Sequence, residues 1–183
     1  MSHGLVFGLP HQSLEAMAHT IDKTAELKPD RIAFYSYAHV PWIKGTGQRG
    51  YDEKDLPSNE GKRNLYEMGK QRFLELGYEE IGMDHFALPS DDLAKAFHDG
   101  SLHRNFMGYT SGKTQLMVGL GMSAISDSWG GFAQNVKTVG EYEARAMKGE
   151  IPVFRGHMLH DEDLLVRKHI LNLMCQFTTS FED

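Results

Sequence analysis

The chain has 183 residues, a formal net charge of -6, 40% hydrophobic residues and 24% charged residues, a composition typical of one globular domain. The acidic balance and the lack of a basic stripe argue against nucleic acid as a partner, and no apolar run reaches the ~18 residues that span a bilayer. The N-terminus lacks the basic and apolar regions of a signal peptide, and the one cysteine, Cys175, excludes an internal disulfide framework. We therefore expect a cytoplasmic protein with no nucleic-acid or membrane partner.

In chain order, the first apolar run, at residues 5–7, predicts a strand, and Ser13 predicts the N-cap of the first helix. The β-branched and aromatic run 31–38 predicts the second strand, and a Gly-rich, charged loop is expected over residues 43–57. The predicted strands cover residues 5–7, 31–38, 80–86 and 116–125. The predicted helices cover residues 13–28, 58–76, 90–98, 138–147 and 160–175.

Strand and helix alternate three times, with connections too long for hairpins. This alternation predicts right-handed βαβ units and a parallel sheet, and therefore an α/β fold. A change in composition near residues 149–152 predicts a boundary there. We expect an α/β part over residues 1–150 and a helical C-terminal part over residues 151–183.

Polar residues stand at the ends of the predicted strands, where parallel α/β folds carry their chemistry. These ends are residues 8–11, 35–39, 84–86 and 123–126. Tyr37 and His39 are two residues apart and share a face, so they suit acid–base work or a hydrogen bond at the edge of the core. Asp84 and His85 are adjacent on a predicted strand, so their side chains are expected on opposite faces. Either residue is equally well explained as a satisfied buried polar group.

A turn flanked by glycine carries His103, Arg104 and Asn105. The planar donor fork of an arginine suits a carboxylate on a substrate or cofactor. The alternative is a loop arginine that pairs with a nearby carboxylate of the chain, and the candidates are Asp84, Asp91 and Asp99.

Several other segments match known functional motifs only in part. Residues 111–114 resemble the end of a phosphate-binding loop, but Met107 occupies the position of its first glycine. Gly119 and Gly121 lack the third glycine of a dinucleotide fingerprint. His11, His39 and His85 leave a metal site open, although no pair has the spacing of helical zinc ligands. A hydrolase is disfavoured because no Gly-x-Ser-x-Gly occurs.

Five segments together resemble the oxygen-independent coproporphyrinogen III oxidase family of radical S-adenosylmethionine enzymes. They are FGLPHQS (7–13), YSYAHVP (35–41), GMDHFALPSDDLA (82–94), LHRNFMGYT (102–110) and GMSAIS (121–126). The matches are in order, keep near-constant spacing and cover most of the chain.

The resemblance implies a partial (β/α) barrel of about three to four parallel strands, followed by a helical part. It implies that Val6, Ala38 and Ile125 line the S-adenosylmethionine site, while Gly4 replaces an aspartate that the family uses there. It also implies a tetrapyrrole substrate, for which Tyr37, His39, Asp84, His85, His103, Arg104 and Asn105 are the candidate binding residues. That set rests on chemistry at the predicted rim, and the holding of propionates by Arg104 is inferred from arginine chemistry.

The family also implies a [4Fe–4S] cluster held by three cysteines, which a chain whose only cysteine is Cys175 cannot supply. We therefore expect a segment without the N-terminal cluster-binding half, with no metal of its own and no turnover by itself. Exposed strand edges and apolar lumen residues predict self-association. The alternative function is a non-catalytic haem- or tetrapyrrole-binding module, or a haem chaperone.

Overall fold

The computed structural model describes residues 1–42 and 50–180. It divides into two compact units, an N-terminal unit, Met1–Ser101, and a C-terminal unit, Leu102–Asp183. This division differs from the boundary predicted near residue 150, which lies inside the C-terminal unit. Across the described residues, no helix combines the length and the apolar character needed to cross a membrane.

The N-terminal unit alternates strands and helices as the sequence predicts. Its elements are β1 (Ser2–Phe7), α1 (Leu14–Leu27), β2 (Arg31–Ser36), α2 (Asn59–Glu75), β3 (Glu79–Gly82), β4 (His85–Ala87) and α3 (Asp92–Asp99). Ser13 and Ser58 cap α1 and α2, because each hydroxyl accepts a hydrogen bond from a backbone N–H of the first turn. Within the loop predicted over 43–57, residues 43–49 lie outside the described residues and Glu53–Asp55 forms a short 3₁₀ helix.

The four strands form one sheet in the order β1-β2-β4-β3. Only the β1–β2 pair is parallel among the described strands, since β4 runs antiparallel to both β2 and β3. The prediction of three to four parallel strands is therefore wrong for this sheet. The predicted strand 80–86 is a hairpin, because Met83 and Asp84 form a two-residue turn and Met83 has a φ of 46°.

Aromatic residues dominate the core of the N-terminal unit. Phe34 on β2 is fully buried, with ring centroids 4.6 Å from Phe7 and 5.3 Å from Phe73. Met17 and Ile21 add the apolar face of α1 to the same cluster. This packing holds the parallel strands against α1 and α2, and so fixes where the ends of β1 and β2 lie.

The C-terminal unit is built from antiparallel strands and two helices. Its elements are β5 (His103–Asn105), β6 (Gly108–Thr110), β7 (Leu116–Met117), β8 (Ile125–Ser128), β9 (Gly131–Asn135), α4 (Val139–Met147), β10 (Val153–Met158) and α5 (Asp161–Gln176). One sheet has the order β10-β9-β8-β7 and the other pairs β5 with β6.

All five helices are confirmed to within one or two residues at each end. The strand predicted at 116–125 is wrong, because it is two short strands, β7 and β8, joined through a loop that contains Gly119 and Gly121. The helical part predicted from residue 151 begins instead with β10, whose pairing to β9 closes the antiparallel sheet.

Candidate functional site

The carboxyl ends of β1 and β2 form a rim on the N-terminal unit. Phe7 is opposite Ser36 in the parallel register, and the Tyr37 N–H donates to the Phe7 carbonyl at 2.8 Å. The Met83–Asp84 turn reaches the same edge, because the Phe34 N–H donates to the Asp84 carbonyl at 2.7 Å. Three of the four predicted strand ends therefore share one rim, and the fourth, at 123–126, belongs to the C-terminal unit.

Gln12 fixes the loop that follows β1. Its Oε1 accepts from the N–H groups of Gly8 at 2.7 Å and Leu9 at 3.3 Å, and its Nε2 donates to the Val6 carbonyl at 3.3 Å. Gly8 adopts a φ of +82°, which favours glycine. The Lys62 side chain lies against Gly8 and donates to the Tyr37 carbonyl at 2.7 Å. Val6 is 37% exposed and Ala38 is exposed, so both residues are accessible at the rim. The hydrogen bonds of Gln12 and Lys62 hold the backbone around them in place.

Two aromatic rings, those of Tyr51 and His39, lie beside Tyr37. The Tyr37 and Tyr51 hydroxyls share a hydrogen bond, and the His39 ring centroid lies 6.3 Å from Tyr37 and 5.6 Å from Tyr51. Desolvation, aided by Tyr51, raises the pKa of Tyr37 to about 12. At neutral pH Tyr37 is thus a hydrogen-bond donor and not a base. The buried Nδ1 of His39 has no hydrogen-bond partner among the described residues.

Asp84 and His85 do not lie on one strand, contrary to the prediction. Asp84 lies in the hairpin turn, so it does not alternate with His85 along one strand. His85 begins β4, and its ring meets the Tyr35 ring edge-on at 5.8 Å. Both residues nevertheless stay at the rim that the strand ends predict.

His103, Arg104 and Asn105 form strand β5 and not the predicted turn. The turn is Phe106–Met107, where the Asn105 Oδ1 accepts from the Met107 N–H at 2.9 Å. The Arg104 guanidinium lies 4.7 Å above the Tyr109 ring. No described carboxylate pairs with Arg104, and its buried Nη1 has no hydrogen-bond partner among the described residues.

His103 is buried, with 8% of its surface exposed. Burial, together with the positive charges of Lys113 and Arg167, lowers the pKa of His103, and the charge of Asp127 opposes the shift. At neutral pH the imidazole is uncharged. His103 therefore supports β5 and adds no positive charge to a binding site.

A cavity of about 510 Å³ lies in the C-terminal unit between the β5–β6 turn, the sheet and α5. We call it the Arg104 cavity. Its apolar lining residues are Phe106, Phe132, Leu159, Val166, Ile170 and Leu171. Its polar lining residues are Arg104, Asn105, Asp127, His157, Glu162, Asp163 and Arg167.

Arg167 lines this cavity, and both of its terminal nitrogens are hydrogen-bonded within the chain. Its Nη2 donates to both carboxylate oxygens of Asp127, at 2.9 and 3.1 Å, and its Nη1 donates to the Ser128 carbonyl at 3.0 Å. The guanidinium also lies 5.1 Å from the Trp129 ring and 5.2 Å from the Phe132 ring. The pair therefore ties α5 to β8 and leaves Arg167 little capacity for a ligand.

Ile125 lines a second cavity of about 340 Å³ in the same unit. Phe106, Phe132 and His157 line both cavities. The predicted cofactor residue Ile125 is thus close to the Arg104 cavity, whereas Val6 and Ala38 belong to the N-terminal unit. Arg104 and Asn105 line the Arg104 cavity, and His103 is not among its lining residues.

Comparison with known proteins shows which enzymes this chain is similar to. An oxygen-independent coproporphyrinogen III oxidase from Cereibacter sphaeroides is 43% identical over 173 residues, which is 94% of this chain and 38% of that protein. The oxidase from Paracoccus denitrificans is 42% identical over 98% of this chain and 40% of its own length. The coproporphyrinogen III oxidase HemN from Escherichia coli, a radical SAM enzyme, matches in structure with a TM-score of 0.90 and 38% identity, over 99% of this chain and 42% of that one.

The chain is a homologue of part of the oxygen-independent coproporphyrinogen III oxidases. It spans about two fifths of the length of these relatives. The comparison with protein-family models found no match. The resemblance seen in the five sequence segments is thus confirmed for nearly the whole chain.

The radical SAM relationship raises the question of where a cluster would bind. In residues 1–42 and 50–180, no three His, Cys, Asp or Glu side chains are placed to hold a metal ion. Cys175 is 5% exposed, and burial raises the pKa of its thiol. A buried, protonated thiol is a poor iron ligand, so these residues do not fit a [4Fe–4S] cluster.

Sequence reasoning missed the Arg167–Asp127 pair and His157. Asp127 and Arg167 are 40 residues apart, and neither lies in a motif. The signal available in the sequence was Asp127, which shares a strand face with the apolar Ile125 in the run 125–128. Such an inward-facing charge on a strand predicts a buried partner.

Proposed function

We propose that this chain forms the substrate-binding part of an oxygen-independent coproporphyrinogen III oxidase. The observation that supports the proposal best is the 38–43% identity to such enzymes along almost all of the chain. In the proposed reaction, two propionates of coproporphyrinogen III become vinyl groups and give protoporphyrinogen IX. Each propionate loses carbon dioxide, one hydrogen atom to the radical derived from S-adenosylmethionine, and one electron to an external one-electron acceptor.

The rim of the N-terminal unit suits the cofactor role that the family implies. Val6 and Ala38 are small or apolar and exposed, so S-adenosylmethionine would pack against them and bond to their backbone groups. Ile125, in the C-terminal unit, is the third residue that the family implies for this cofactor. When bound, S-adenosylmethionine supplies the hydrogen-abstracting radical, and the residues of this chain position it.

Tyr37, His39, Asp84 and His85 supply polar groups beside that cofactor position. Tyr37 stays protonated at neutral pH and would donate to a substrate carboxylate or to a bound water. His103, Arg104 and Asn105 form the second candidate set, in the C-terminal unit. Of these, Arg104 offers a charged donor without a carboxylate partner among the described residues.

The chain does not fit the iron–sulfur cluster, so we propose that it has no turnover by itself. We further propose that β1 and β2 are strands of the incomplete barrel of the longer enzyme, that α5 (Asp161–Gln176) begins its helical part, and that the enzyme is cytoplasmic. Alone, the chain would self-associate, because β1 has a single neighbour, β2, among the described strands.

A chimera tests the function directly. The matching segment of the Escherichia coli enzyme is replaced by residues 1–183, and anaerobic conversion of coproporphyrinogen III to protoporphyrinogen IX is measured. We expect conversion above that of two controls, this chain alone and the Escherichia coli remainder alone. A folded chimera that holds its cluster and cleaves S-adenosylmethionine but never decarboxylates coproporphyrinogen would contradict the proposal. A Soret shift of this chain with haem would support the carrier alternative instead.

A further inference from the structure

The Arg104 side chain combines burial with a missing partner. Its Nη1 is shielded from solvent and makes no hydrogen bond to a described residue, while the residue as a whole is only partly buried. Its guanidinium lies 4.7 Å from the centre of the Tyr109 ring, and its charge acts on the buried Cys175 thiol. A buried guanidinium N–H donor without an acceptor is costly, because buried donors normally have acceptors. The position therefore favours an acceptor from outside the chain.

The neighbouring charges limit what that acceptor can be. Asp127 is neutralised by Arg167, and Asp163 accepts from the His160 N–H at 3.0 Å and faces His157 at 3.1 Å. The His160 N–H is the main reason that the pKa of Asp163 is lowered, so Asp163 stays charged. With Glu162 also in the lining, a polyphosphate would meet strong repulsion. Of the two arginines that line the cavity, Arg104 is the one without a carboxylate partner among the described residues, and a single carboxylate would balance its charge.

The rest of the cavity suits an apolar body. Phe106 and Phe132 stand beside Arg104, and Val166, Ile170 and Leu171 come from α5. An aromatic or apolar ring with a carboxylate on a short arm would satisfy both parts of the lining.

We propose that the Arg104 cavity binds one carboxylate arm of an apolar ring compound and that Arg104 receives the carboxylate. This inference rests on the proposed function, in which the ring is the tetrapyrrole and the arm is a propionate. Arg167 does not bind the ligand. It holds α5 against the sheet through Asp127 and Ser128 and so shapes the cavity.

The test is a fluorescence titration of the full 183-residue chain with coproporphyrin III, which keeps the four propionates of the substrate. Arg104→Gln is expected to raise the Kd about tenfold or more, the size expected for a lost charge-assisted hydrogen bond. Arg104→Lys keeps the charge without the planar fork and should give a smaller increase. Arg63→Gln removes an exposed arginine of α2 and serves as the matched control, with an unchanged Kd.

A second measurement does not depend on the variants folding. The tetramethyl ester of coproporphyrin III has no free carboxylate, and we expect the wild-type chain to bind it at least about tenfold more weakly. Equal affinity for the acid and the ester, or equal affinity of folded Arg104→Gln and wild type, would overturn the inference. If the chimera decarboxylates coproporphyrinogen while Arg104→Gln binds normally, this inference alone fails. An inactive, cluster-loaded chimera makes the proposed function itself fail.

Discussion

The two compact units are stabilised by different interactions. In the N-terminal unit the buried side chains form an aromatic and aliphatic cluster around Phe34. Among the described residues of the C-terminal unit, the buried hydrophobic side chains are only Leu102, Tyr109, Val136 and Cys175. Its large apolar residues are mostly at the surface, with Leu120, Met147 and Ile151 all more than 80% exposed.

Polar contacts take the place of a core in the C-terminal unit. The Asp127–Arg167 pair joins β8 to α5, and the Asn135 amide donates to the carbonyls of Gly119 and Gly121 at 3.0 and 2.9 Å. A unit built in this way is sensitive to charge and to ligands, whereas one built on core packing is sensitive to volume. The proposed carboxylate site thus lies in the unit that has most to gain from a bound partner.

The strongest test of the comparison is Phe34→Ala in the N-terminal unit. Phe34 is fully buried among Phe7, Tyr66 and Phe73, so truncation should lower the free energy of unfolding by about 3–5 kcal/mol. The measurement is urea unfolding followed by far-UV circular dichroism. Phe154→Ala removes a 56% exposed phenylalanine of the C-terminal unit and should cost less than about 1 kcal/mol. Equal losses for the two variants would mean that the units do not differ in this way.

In the C-terminal unit the largest effect should come from Arg167→Leu. The substitution leaves the Asp127 carboxylate, which is 9% exposed, without its partner and should lower the free energy of unfolding by about 2–4 kcal/mol. The double variant Asp127→Leu/Arg167→Leu should recover more than half of this loss. Trp129 lies 5.1 Å from the guanidinium, so its fluorescence in a Trp42→Phe background reports on this unit. A double variant as unstable as the single one would show that packing, not the buried charge, sets the cost.

The helices could be predicted from the sequence because their signals are local. Ser13 and Ser58 sit where their hydroxyls meet first-turn N–H groups, and those caps fixed the starts of α1 and α2. Strand direction could not be predicted in the same way, because pairing is settled by distant partners. The hairpin between β3 and β4 depends on a positive φ at Met83. Methionine is not a residue type that favours this conformation, so the sequence did not predict the turn.

The candidate site shows the same difference between local signals and long-range contacts. The rim at 35–39 and 84–85 was predictable because chemistry in α/β folds gathers at strand ends. The Arg104 cavity was not, since its walls come from strands and α5 that are far apart in the chain. The chemistry of arginine predicted that Arg104 donates hydrogen bonds to a carboxylate. Only the fold shows that no carboxylate among the described residues pairs with it.

A smaller effect is expected where α2 meets the sheet. A Cβ on Gly69 would lie 2.6 Å from the Phe34 Cζ, so Gly69→Ala should cost about 1–3 kcal/mol although alanine is the better helix former. Gly140 on α4 has open space around it, and Gly140→Ala should be neutral or stabilising by up to about 1 kcal/mol. Urea unfolding of both variants gives the comparison, and a stabilising Gly69→Ala would place the helix farther from β2.

The smallest effect is the pH dependence carried by His103. Burial first, then Lys113 and Arg167, lowers the pKa of His103 below its ordinary value of 6.5. Below that value the unfolded chain takes up a proton that the folded chain resists, so stability is lost as the pH falls toward the folded-state pKa. We expect the free energy of unfolding, followed by Trp129 fluorescence, to fall as the pH is lowered from about 7.5 to 5.5. The slope should be smaller than about 1.4 kcal/mol per pH unit, which is the value for the uptake of one proton. His103→Gln should flatten this part of the profile, while His19→Gln, which removes an exposed histidine of α1, should leave it as in the wild type. A profile that His103→Gln does not change would mean that His103 is as solvated in the folded unit as in the unfolded chain.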